Sequence, residues 1–225
     1  MAKKSLKVAS KAPMKRIHTQ PDLSPRALVL ACAEGLLGQL ILNARLGFSD
    51  IATELPLHQT VQTIAAARGY HHHHEYPVLR TKVRGDHKRL DFVFARLVEI
   101  IEDGRRRQQL AEAVAVEMKV VGRSSENNAE PLSDGEIDAE ERKDLKEVSK
   151  DLMKIGSFMK AVRSEMKGTN AHGYLIVVNL ASNKGIRWDI STSNGIKKDD
   201  VKLVERFRYE KGNIKKSVTV YEVRG

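Results

Sequence analysis

Apolar positions along the chain fall first into a helical rhythm and then into a strand-like one. After Pro21-Asp22-Leu23-Ser24-Pro25, Ser24 can cap a helix and Pro25 suits its first turn. Leu28, Ala31, Leu36, Leu40 and Ile41 then recur at near-helical spacing as far as Leu46-Gly47. A second helical stretch covers Leu57 to Arg68 and stops at Gly69. Glu75-Tyr76-Pro77-Val78 predicts the beginning of a strand, and Lys88 to Val98, rich in β-branched and aromatic residues, a better one. Glu102-Asp103-Gly104-Arg105 supplies a turn and Glu112 to Val121 a third strand, which completes a meander. The polar, acidic Ser124 to Asp138 segment is expected to be a loop. From Ile137 to Met166 the pattern is a long amphipathic helix, with Leu145, Val148, Leu152, Ile155, Phe158 or Met159, and Val162 on one side.

Tyr174 to Leu180 is a continuous apolar run between Gly173 and Ser182-Asn183, as expected of a strand covered on both faces. A strand, a helix and a buried strand in that order suggest a right-handed crossover in a mixed sheet. A helical stretch near Asp199 to Phe207 and an alternating strand from Lys216 to Val223 close the pattern. The expected fold class is α/β: a mixed central β-sheet flanked by helices, with a helical N-terminal region. Residues 1–20 are expected to form a flexible basic arm and 21–225 a single domain.

Composition narrows the partners. With 41% hydrophobic and 30% charged residues the chain resembles a soluble globular protein. No apolar run approaches the roughly 20 residues of a membrane helix, so no membrane partner is expected. The 39 Lys and Arg against 29 Asp and Glu give a formal charge of +10, which favours an anionic partner such as nucleic acid. The single cysteine, Cys32, excludes an internal disulfide and fits a reducing, cytoplasmic compartment. Its neighbours Leu28, Val29, Leu30 and Ala31 mark it as a buried core residue rather than a nucleophile. Met1 to Arg16 carries six basic residues and no acid but lacks the apolar core of a secretory signal; an organelle transit peptide stays open as an alternative.

The candidate chemistry lies in the meander. Arg89-Leu90-Asp91-Phe92-Val93-Phe94 puts one carboxylate on a strand, and Val114-Ala115-Val116-Glu117-Met118-Lys119-Val120-Val121 puts a carboxylate and a lysine on the next. Side chains alternate along a strand, so Glu117 and Lys119 share a face while Val116, Met118 and Val120 take the other. A bland reading pairs Asp91 with Arg89 and leaves Glu117 and Lys119 solvated. Ala113 and Ala115, on the Glu117 face, suit a covered or concave surface better. Buried charges persist only when paired, solvated in a cleft or bound to a metal.

An acid on one strand, Glu-x-Lys on the next, then a helix and an apolar strand together resemble the PD-(D/E)XK nuclease superfamily over roughly Glu75 to Leu180. The proline that usually precedes the first acid is replaced by Leu90. The resemblance implies a restriction-endonuclease-like fold and a metal-dependent endodeoxyribonuclease. Asp91 and Glu117, with the Met118 carbonyl as a further ligand, would bind Mg²⁺, with Mn²⁺ as a substitute. Lys119 would orient or help deprotonate the attacking water or stabilise the charge that develops on phosphorus. A further catalytic acid would come from Glu75 in preference to Glu34. Lys154, within Asp151-Leu152-Met153-Lys154, together with Arg89 and Lys88 would contact nucleic acid, DNA in preference to RNA. A homodimer would cut both strands of a duplex most simply. The alternative is a catalytically inactive nuclease-fold module that binds nucleic acid or a protein.

Other signals are weaker. In His71-His72-His73-His74 an extended chain would put His71, His73 and Glu75 on one face, but no second cluster stands at ligand spacing for Zn²⁺, and a polar loop before the strand explains the run. Arg105-Arg106-Arg107, Lys197-Lys198 and Lys215-Lys216 are expected at solvated turns. No P-loop is present, and Trp188 alone makes no stacking platform.

Overall fold

The computed structural model describes residues 24–46, 55–77, 89–102, 104–121, 134–179, 199–212 and 214–224. Among them are helices α1 (Pro25–Arg45), α2 (Leu55–Ala67) and α3 (Asp134–Glu165), and strands β1 (His71–Pro77), β2 (Arg89–Glu102), β3 (Arg105–Val121), β4 (Asn170–Asn179), β5 (Val201–Lys211) and β6 (Ile214–Val223). The strands form one six-stranded mixed sheet in the order β1-β2-β3-β4-β6-β5. β3 and β4 run parallel, connected through α3, and the other neighbours are antiparallel. The chain is thus α/β, with the expected helices ahead of the expected meander.

Strand alternation divides the sheet into two apolar faces. Phe92, Phe94, Val114, Val116, Met118, Ile176, Val178, Val218 and Val220 pack under α1 and α2 with Leu28, Leu36 and Val61. Val93, Ala113 and Ala115 meet Ile155, Phe158, Met159 and Val162 of α3, while Leu175, Val177 and Tyr221 meet Val148. Ala113 and Ala115 therefore do lie on a covered face. Ser24 caps α1 by accepting the Ala27 N–H at 3.2 Å, and Gly69 ends α2 with φ of 76°. Cys32 is buried in the core, and burial pushes its thiol pKa up to about 12, so it is no nucleophile at neutral pH.

α1 is long and apolar enough by composition to cross a membrane, contrary to the expectation that no segment approaches that length. Its Leu28, Val29, Cys32, Ala33, Leu36, Leu37 and Leu40 are nevertheless buried, as in a core helix. Other expectations are corrected as well. The histidine run is not a loop but most of β1, and Glu75-Tyr76-Pro77 ends that strand rather than beginning it. α3 starts at Asp134, so the last residues of the expected Ser124 to Asp138 loop are helical, and residues 122–133 lie outside those described. The expected helix at Asp199 to Phe207 is instead β5, paired with β6 from Val201 opposite Val223 to Lys211 opposite Ile214. Lys216 is not in a solvated turn but buried within β6. The arm at 1–20, Lys197-Lys198 and Trp188 fall outside the described residues.

α3 approaches β4 closely because residue 173 has no side chain. A Cβ built on Gly173 would stand 2.2 Å from Ile155 Cγ2 and 2.5 Å from Met159 Sδ. Gly173→Ala is therefore expected to push α3 off the sheet and lower the unfolding free energy by about 1–3 kcal/mol, measured in urea. An unchanged urea midpoint would contradict this packing.

Candidate active site

The β2–β3 ladder runs from the Gly104 turn down to Phe92 opposite Val116. One residue beyond that pair, Asp91 takes a backbone donor itself, with Met118 N–H donating to Asp91 Oδ2 at 2.7 Å. The bond fixes the carboxylate, which is close enough to Glu117 for its charge to disfavour ionisation of that acid. Asp91 is not tied to Arg89 in the way the bland reading required: Arg89 donates instead to Glu75 at 2.8 Å, on an exposed surface.

Glu117 and Lys119 face α3, as alternation predicts, and α3 answers with three charged side chains. Glu147, Asp151 and Lys154 stand at i, i+4 and i+7, one stripe of a helix. Lys119 Nζ pairs with Glu147 Oε2. Lys154 Nζ lies 2.7 Å from Glu117 Oε1 and 2.9 Å from Asp151 Oδ1, and donates to the Arg89 carbonyl at 3.0 Å. Glu117 is 2% exposed and Lys154 5%, so this is an interior pair. Glu117 Oε1 takes the Lys154 ammonium as its partner, a charge-assisted hydrogen bond in the interior.

Among the described residues, four carboxylates (Asp91, Glu117, Glu147 and Asp151) meet two ammonium groups (Lys119 and Lys154), a formal charge of −2 for these six side chains when all are ionised. Burying unbalanced charge is expensive. Burial, with the Asp91 and Asp151 charges, raises the Glu117 pKa well above the usual glutamate range despite Lys154. Burial likewise raises Asp151, against the pull of Lys154. Burial would lower Lys154, but Glu117 and Asp151 outweigh it and hold the ammonium above its ordinary value. The cluster can shed its excess by taking up protons or by binding a cation.

The donor set suits a hard divalent cation. Two neighbouring carboxylates, Asp91 and Glu117, match the one or two carboxylates plus water and substrate oxygens that Mg²⁺ accepts. Among the described residues no three His, Cys, Asp or Glu side chains already converge as a complete metal cage. Waters or substrate oxygens would have to fill the remaining positions.

The structure brings Asp91, Glu117, Met118, Lys119 and Lys154 together. Lys154, expected at a phosphate, is turned inward onto carboxylates. Glu75 stands level with Asp91 across the β1–β2 ladder, since its neighbours His74 and Tyr76 pair with Phe92 and Leu90. Its carboxylate reaches exposed Arg89 rather than the cluster, and its φ of 53° breaks the strand alternation. His73 and Tyr76 consequently share a face, with rings 5.9 Å apart, while His74 turns to the other side and meets His58 Nδ1 at 2.8 Å. Glu34 is exposed on α1, a helix packed against the other face of the sheet. Lys88 lies outside the described residues. Arg105, Arg106 and Arg107 are exposed but lie in β3, laddered to β2, rather than in the expected turn, and Arg106 and Arg107 pair there with Glu99 and Glu102. Sequence reasoning missed Glu147, whose spacing from Asp151 and Lys154 was the available signal. No protein-family model, no curated protein and no solved structure matches this chain.

Proposed function

We propose that the protein is a metal-dependent nuclease of restriction-endonuclease-like fold that hydrolyses phosphodiester bonds in nucleic acid, DNA in preference to RNA. The observation that carries this reading is the partly buried cluster around Asp91 and Glu117 in which, among the described residues, four carboxylates meet two ammonium groups. A purely structural ionic core would gain by balancing its charges, whereas a divalent-cation site needs an excess of two. The order of elements supports it: the acid on β2, Glu-x-Lys on β3, then α3 and the apolar strand β4 parallel to β3. The +10 net charge supports an anionic substrate.

Asp91 and Glu117 would hold Mg²⁺ or Mn²⁺ with help from the Met118 carbonyl. An ion so held lowers the pKa of bound water and offsets charge on the phosphate. Met118 N–H fixes the orientation of Asp91, and the strand fixes Glu117 beside it. Lys119 sits one strand repeat from Glu117 and is steadied by Glu147, which holds its ammonium where it can orient the attacking water or meet developing charge. Cutting a duplex would be simplest for a homodimer, and the single cysteine suits the cytoplasm.

The second reading, an inactive module that binds nucleic acid or protein, is favoured by one observation: both lysines are already engaged by carboxylates of α3. Titration of MgCl₂ into the metal-free protein by calorimetry separates the two. A nuclease should bind Mg²⁺, and Asp91→Ala should abolish the binding heat; absence of binding to the wild type at every pH tested would hand the lead to the inactive module.

A further inference from the structure

Lys154 occupies the place that a metal ligand set would leave for a cation. Its ammonium is buried, lies 2.7 Å from Glu117 Oε1, and has two further acceptors in Asp151 Oδ1 at 2.9 Å and the Arg89 carbonyl at 3.0 Å. The three acceptors differ in kind. Glu117 belongs to the group proposed to hold the ion, whereas Asp151 stands one helical turn from Lys154 on its own helix and the Arg89 carbonyl belongs to β2. Lys154 can therefore give up Glu117 and still keep two of its three partners. The neighbouring charges all bear on this exchange: Asp91 and Glu117 from the sheet, Asp151 and Glu147 from α3, and Lys119 paired to Glu147.

We propose that Lys154 is a tethered cation that competes with the divalent ion for Glu117: it holds the carboxylates together when the ion is absent and swings onto Asp151 and the Arg89 carbonyl when the ion enters. The inference rests on the nuclease reading and deepens it. Lys154 is a positioning residue with two opposed effects, since it stabilises the empty site and weakens metal binding. Two cations that share one carboxylate are negatively coupled, and such coupling is reciprocal. Generic damage to the site would instead weaken metal binding, so the sign of the change is diagnostic.

Full-length wild type, Lys154→Met, Lys154→Gln and Lys154→Arg are titrated with MgCl₂ by calorimetry, and their thermal midpoints are recorded in EDTA and in excess MgCl₂. Lys154→Met is expected to bind Mg²⁺ on the order of tenfold more tightly than the wild type. Its midpoint should fall in EDTA and recover with Mg²⁺, a larger metal-induced rise than the wild type shows. Lys154→Gln keeps a donor for Asp151 and for the Arg89 carbonyl, and serves if the methionine variant does not fold. Lys154→Arg, which keeps the charge, should retain the weaker wild-type affinity. Mg²⁺ affinity that is unchanged or weaker in both neutral variants, while the wild type binds, overturns this inference alone. Absence of Mg²⁺ binding in the wild type and in every variant overturns it together with the nuclease reading.

Discussion

Glu117→Gln is expected to reduce Mg²⁺-dependent cleavage by at least about a thousandfold while leaving the metal-free protein no less stable than the wild type. The loss of activity is what the proposed role of Glu117 implies, since a ligand would be removed from an ion that supplies several kcal/mol to the transition state. The stability follows from the charge balance. Removing one partner of a buried pair usually costs about 3–5 kcal/mol because it strands the other charge. Here, among the described residues, the amide leaves three carboxylates against two ammonium groups, and Lys154 keeps Asp151 and the Arg89 carbonyl. The sign with pH agrees. The folded-state pKa of Glu117 is raised, so between the ordinary glutamate value of about 4.3 and its own higher value the native protein binds more protons than the unfolded chain. Over that window Glu117 makes wild-type stability fall as pH rises. Glu117→Gln removes that fall. Cleavage rates and urea unfolding in EDTA at several pH values check both halves. Wild-type cleavage by the variant would remove Glu117 from the chemistry, and a large loss of stability in EDTA would mean that the carboxylate excess is not a burden on the fold.

Phe92→Ala is expected to have the largest effect on stability, about 3–5 kcal/mol. Phe92 has no exposed surface, stacks on Phe94 with ring centroids 5.7 Å apart, and meets the His58 ring edge-on at 4.9 Å. It belongs to the layer under α1 and α2, yet it is the immediate neighbour of Asp91. The variant thus separates the two faces of β2. Urea midpoints should drop sharply, while the protein that remains folded at low temperature keeps its Mg²⁺ dependence. A loss below about 1 kcal/mol would mean that α1 and α2 are not packed on the sheet as described.

Local pattern made much of this fold legible. Leu28, Leu36 and Leu40 announce α1, and the alternation around Glu117 puts that acid and Lys119 on one face because a strand allows little else. Val201 to Phe207 misled because Val204 and Phe207 also suit a helical stripe over so short a span. Pairing with β6 across Arg206 opposite Thr219 and Phe207 opposite Val218 decided the outcome, and such pairing is not local information. The histidines of β1 were passed over for a similar reason: four polar residues read as a loop, but Phe92, Val93, Phe94 and Ala95 offer them a partner strand. At the site, Asp91 and Glu117 stood out by their strand positions. Which lysine meets Glu117 did not, since Lys154 arrives from a helix about 35 residues later in the sequence and only the packing of α3 on Gly173 brings it there.

The most direct test is incubation of the wild type with labelled single- and double-stranded DNA and RNA, in MgCl₂ or EDTA, beside Lys119→Ala, read on a denaturing gel. Cleavage of DNA that requires Mg²⁺ and is lost in Lys119→Ala is the predicted result. Intact substrates in Mg²⁺ and in Mn²⁺, with binding still visible by gel shift, would contradict it.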